Sequence, residues 1–97
     1  MYFNEEQLKN IEEMAYQLFS PFEIALALET EEADEFIEEI STPGTDIHKA
    51  FYKGYLRQLG ELRTDTIKAA RNGSNPAQME LLKCIINIQR ELPVSYT

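Results

Sequence analysis

The stretch from Asp46 to Asn72 constrains the fold more than any other part of the sequence. It runs for 27 residues without a proline. Along it Ile47, Phe51, Tyr55, Leu59, Leu62, Thr66 and Ala69 recur at spacings of three and four, the period of one helix face. Such a helix is about 40 Å long. It takes more than a quarter of a 97-residue chain. A chain this short buries only about 60 to 70% of its unfolded surface. A long helix must therefore be covered by the rest of the chain or by another molecule, and a large, deep active-site cleft is not expected. Gly54 and Gly60, inside the helix, each cost about 1 kcal/mol relative to alanine. They are expected to mark close helix contacts, and Gly73 is expected to cap the C-terminus.

The flanking segments are also helical in pattern. Asn4 with Gln7 forms a capping box for a first helix, about Asn4 to Phe19, with Leu8, Ile11, Ala15 and Leu18 as its buried face. Ser20, Pro21 and Glu23 start a second, short helix to Leu28, with Phe22, Ala25 and Leu28 on one side and Ile24 flanking. Thr30 is placed to cap a third helix, Glu31 to Ile40, facing inward with Ala33, Phe36, Ile37 and Ile40. Ser41-Thr42-Pro43-Gly44-Thr45 is the clearest break and the expected hinge. After Gly73, Asn75, Pro76 and Gln78 restart a helix in which Leu81, Ile85, Ile88 and Leu92 form a heptad-like seam, ended by Pro93. No run alternates with period two. The expected fold is all-α: a helix-turn-helix-like trihelical unit over residues 1–41, then a long antiparallel two-helix hairpin over 46–92.

Charge divides at the same break. Residues 1–46 carry thirteen acids and one base, Lys9, for a net −12, whereas residues 47–97 carry eight bases and four acids, for a net +4. Such asymmetry bears on partners rather than on fold. Either the acidic half lies against the basic half, within one chain or between copies, or the basic half meets phosphates. Lys49, Lys53 and Arg57, at i, i+4 and i+8, form one stripe suited to phosphates, to acids of the first half, or to solvent.

Sites for chemistry are few. His48 is the only histidine and Cys84 the only cysteine, which excludes an internal disulfide and a CxxC metal knuckle. No glycine-rich phosphate loop, HExxH or nucleophile elbow is present. Glu31, Glu35 and Glu38 share a helix face without a histidine or a second carboxylate helix in register, so neither a metal nor another cofactor is expected. Tyr52 and Tyr55 are expected to pack. No apolar run reaches the roughly 20 residues a membrane helix needs, and no secretory signal is recognisable, so a reduced thiol and a cytoplasmic setting are expected.

The segment Lys49-Ala50-Phe51-Tyr52-Lys53-Gly54-Tyr55-Leu56, continuing through Glu61-Leu62-Arg63 to Lys68-Ala69-Ala70-Arg71-Asn72-Gly73-Ser74-Asn75-Pro76-Ala77, resembles the second half of phage terminase small subunits and related phage helix-turn-helix proteins. Pro21 to Glu29 is similar to their first motif helix. The resemblance implies a non-enzymatic DNA-packaging protein. It would recognise double-stranded viral DNA, assemble into a homo-oligomer through its long helices, and engage a large ATPase–nuclease subunit. The third helix departs from the pattern. It holds Glu31, Glu32, Asp34, Glu35, Glu38 and Glu39 with no base, whereas a recognition helix brings basic or amide side chains to the major groove. The DNA-contacting residues are therefore expected to be Lys49, Lys53 and Arg57, and the oligomer contact Leu81, Ile85, Ile88 and Leu92. The competing reading is an all-α protein–protein adaptor or transcriptional regulator, acting through its acidic half and its hairpin.

Overall fold

The computed structural model describes residues 1–91. Leu92 and Pro93, expected to end the hairpin seam, lie outside the described residues. The chain is all-α, with five helices and no strand among the described residues: α1 (Glu5–Tyr16), α2 (Pro21–Ala27), α3 (Ala33–Ile40), α4 (Asp46–Arg71) and α5 (Asn75–Glu91).

Both expected capping boxes form. The Asn4 side chain accepts from Gln7 N–H at 2.8 Å, and Asn4 N–H donates to Gln7 Oε1 at 3.0 Å. Ser20 and Glu23 repeat the exchange at 3.1 and 2.8 Å, with Pro21 in the first turn. The helix ends differ from expectation. α1 stops at Tyr16 because Leu18 adopts the left-handed conformation (φ 67°), while Leu18 N–H donates to Ala15 and Phe19 N–H to Met14. This is a Schellman motif built without glycine. Glu29 (φ 55°) does the same for α2, where Thr30 N–H donates to the Ala25 carbonyl. Thr30 thus belongs to the end of α2 and does not cap α3. α3 begins at Ala33 behind Glu32, which makes no side-chain capping bond. α4 closes as expected, with Gly73 (φ 94°) at the left-handed position. Ser74, rather than Asn75, caps α5, its Oγ accepting from Ala77 N–H at 3.3 Å.

The chain forms two compact units that divide within α4, after Leu59. The head unit comprises α1, α2, α3 and α4 up to Leu59. Its core is Ile11, Ala15, Ile24, Ala25, Phe36, Ile40, Ile47 and Phe51. α2 packs against α1 and α3, with Ile24 and Ala25 buried. Phe22 and Leu18, expected inside, are instead exposed. The turn that ends α1 carries Leu18 out of the helical face, and α2 is rolled so that Ile24 rather than Phe22 points inward. The loop from Ser41 to Thr45 lies within this unit. Thr45 Oγ1 accepts from His48 N–H at 3.0 Å and lies 2.8 Å from the Glu39 carbonyl. His48 Nδ1 lies 2.7 Å from the Ile40 carbonyl. A carbonyl only accepts, so this nitrogen carries the ring proton.

α1 packs against α4 at Gly54. A Cβ there would collide with the Glu12 carbonyl oxygen and stand 3.0 Å from Tyr16 N. Gly60 has open space where its Cβ would be. One of the two helix glycines therefore marks a close approach and the other does not. The hairpin unit holds α4 from Gly60 onward and α5, in antiparallel contact. Ala70 is its one buried apolar residue among those described, and Gln78 Nε2 donates to the Ala70 carbonyl at 3.1 Å.

Gly54→Ala should destabilise the chain by about 1–3 kcal/mol or more, because backbone must move to admit the methyl group. Gly60→Ala should stabilise it by about 0.5–1 kcal/mol, the ordinary helix-interior gain. Urea unfolding of the two variants checks the opposite signs.

Candidate functional site

The head unit has four bases, Lys9, Lys49, Lys53 and Arg57, and all lie on α1 or α4. No lysine or arginine occurs from residue 10 to residue 48. Lys9, Lys49 and Lys53 line an open groove of about 330 Å³ between α1 and α4, together with Glu5, Glu12 and Asp46. Two members of the i, i+4, i+8 stripe, Lys49 and Lys53, therefore border this groove, and the three members are in different states. Lys49 makes no ion pair among the described residues. Lys53 Nζ lies 3.8 Å from Glu12 Oε1 and remains 74% exposed. Arg57 is held at both ends of its guanidinium, 3.2 Å from Glu12 Oε2 and 3.3 Å from Glu13 Oε1. It also lies 4.1 Å over the Tyr16 ring, a cation–π contact. The Glu12 side chain is only 9% exposed. Its charge is tolerated there because two cations face it.

This pairing joins the two oppositely charged halves within one chain, at the helix contact that Gly54 permits. Lys9, not among the bases expected to meet phosphates, joins Lys49 and Lys53 along this groove. Its signal is being the one base among the first-half acids.

α2 and α3 pack against each other and are joined by the turn at Glu29. Along α3, Asp34, Glu35 and Glu38 are exposed. The Glu32 carboxyl, on the preceding turn, is raised above the ordinary carboxylate value, first by a hydrogen bond with the Glu35 side chain and then by that group's negative charge. Tyr52 and Tyr55 pack with Phe51, ring centroids 5.2 and 5.9 Å away, and His48 lies 4.6 Å from Tyr52.

In the hairpin unit the expected seam is divided. Leu81 is half-buried, whereas Ile85 and Ile88 are 45% and 56% exposed. Leu92 lies outside the described residues. Cys84 is a free, half-buried thiol beside Arg63. A second stripe, not anticipated, runs along α5: Met79, Leu82 and Ile86, flanked by Ile85, all exposed. Their spacing of three and four was present in the sequence. A single narrow heptad seam does not describe α5, which is apolar on more than one side.

Among the described residues, no group of three or more His, Cys, Asp or Glu side chains is placed to hold a metal ion. No described helix is long and apolar enough to cross a membrane. In comparisons with known proteins, no family model, no curated sequence and no solved structure matches the chain.

The raised Glu32 value has a definite sign. Its folded-state proton is held more tightly than in the unfolded chain, so its contribution to stability is present at acid pH and lost as pH rises through the raised value. Glu32→Gln should therefore raise the melting temperature slightly at neutral pH, with the difference fading below about pH 4. Thermal unfolding of both proteins across that range checks it.

Proposed function

We propose that this chain is a non-enzymatic, self-assembling DNA-packaging protein of the terminase-small-subunit kind. In this reading the hairpin joins copies into a homo-oligomer. The head carries the DNA contact, and its acidic α3 surface meets basic surface on a neighbouring copy or on a large packaging subunit.

The observation that carries the reading is the uncovered apolar stripe of α5. A helix that is apolar on several sides is stable when those sides are buried. In the hairpin unit Leu62, Met79, Leu82, Ile85, Ile86 and Ile88 stay 40–59% exposed. Covering the remaining half of six such side chains contributes about 5 kcal/mol per copy before the costs of association. Charge supports the same assignment. Residues 60–91 carry five bases and four acids, whereas residues 1–59 carry four bases and thirteen acids. Two nearly neutral apolar hairpins attract, while two acidic heads repel.

For DNA, the head offers Lys9, Lys49 and Lys53 along one groove. α3, with no base, is unsuited to base readout, so in this reading phosphates meet α1 and α4. A second reading, an adaptor that never touches DNA, is favoured by the pairing of Arg57 with Glu12 and Glu13, which engages part of the cationic stripe internally.

Native mass spectrometry of the full chain should give a discrete assembly of several copies. Leu82→Asp combined with Ile85→Asp should reduce it to monomer with helical circular dichroism retained, and an unchanged mass would reject α5 as the contact. Duplex binding by the packaging protein should weaken steeply between about 50 and 200 mM salt. An oligomer that binds no duplex at the lower salt is the adaptor.

A further inference from the structure

The α1–α4 contact joins two features that work against each other. The stripe offered to phosphates, Lys49, Lys53 and Arg57, is the same stripe that neutralises Glu12 and Glu13. We propose that Glu12 and Glu13 form an internal mask over the cationic stripe, so that a polyanion gains Arg57 only by displacing the Glu13 carboxylate. This inference rests on the DNA-binding reading and deepens it by assigning a regulator to the same surface.

The geometry makes the three cations unequal. Arg57 has one guanidinium nitrogen committed to each of two carboxylates, at 3.2 and 3.3 Å, and its face laid on Tyr16 at 4.1 Å. Glu12 is buried to 9% side-chain exposure and pinned where α1 meets Gly54, so it stays in place when a ligand approaches. Glu13 is different. Its side chain is 47% exposed, and its contact with Arg57 is a surface pair that a phosphate can replace with like geometry. Lys53 touches Glu12 only at 3.8 Å and is mostly exposed, so it can turn toward solvent at little cost. Lys49 needs no release. The stripe thus presents Lys49 and Lys53 at first contact and holds Arg57 in reserve behind Glu13. A weakly binding polyanion meets two cations, and one that displaces Glu13 meets three.

The test uses the full-length protein, a fluorescein-labelled DNA duplex and polarisation titrations at several salt concentrations. Glu13→Gln keeps the side-chain shape and removes the competing charge. It should tighten binding about two- to fivefold, the strength of an exposed ion pair, and steepen the salt dependence by up to about 0.9 in log–log slope. Glu38→Gln, on α3, changes the net charge equally without touching the stripe, and should produce a smaller gain. In an Arg57→Gln background, Glu13→Gln should gain no more than Glu38→Gln does, because the cation it releases is gone. If the wild type binds and Glu13→Gln is no tighter, or if Glu38→Gln matches it, the mask is rejected while the DNA-binding reading stands. If neither the wild type nor any variant binds duplex at low salt, the DNA-binding reading itself fails and the mask with it.

Discussion

The head unit depends on the close approach of α1 and α4 at Gly54. With no side chain at that position, the backbone of Glu12 comes close enough that a methyl group would strike its carbonyl. This brings the Glu12 carboxylate under Lys53 and Arg57, and Tyr16 under the guanidinium. Burying a carboxylate is expensive unless cations and hydrogen bonds answer it. The packing contact and the ion-pair cluster therefore stand together. Either one alone would be poorly satisfied.

That contact also sets the electrostatic character of the head. The four bases sit on the α1–α4 face and are partly balanced there by Glu5, Glu12, Glu13 and Asp46. The charged residues of α2 and α3 are all acids, and beside them Glu35 raises the Glu32 carboxyl above its ordinary value. One face is near balance and the other is strongly negative. Such a separation orients partners by sign, which is a statement about recognition and not about folding.

The hairpin unit is organised by the opposite deficiency. Its apolar residues are mostly exposed among the described residues, and Ala70 alone is buried. Met79, Leu82 and Ile86 are exposed, whereas the head has its own core. This difference supports the proposal that α5 carries assembly and the head carries contact with charged partners.

The sequence by itself determined the helix content, both capping boxes, the Gly73 end of α4 and most of the core. These follow from local hydrogen bonding and from a period of 3.6, which neighbouring residues express without help from distant ones. It did not reveal the glycine-free ends of α1 and α2, because Leu18 and Glu29 in the left-handed conformation carry no compositional mark. Nor did it show which of Ile24 and Phe22 faces inward, since a seven-residue helix has too few positions to define its roll. The stripe of Lys49, Lys53 and Arg57 was legible as a spacing. Only the tertiary structure decided that Arg57 is held by Glu12 and Glu13 while Lys49 makes no ion pair among the described residues. Those partners lie more than forty residues away in the chain, and the approach that joins them depends on the missing side chain of Gly54.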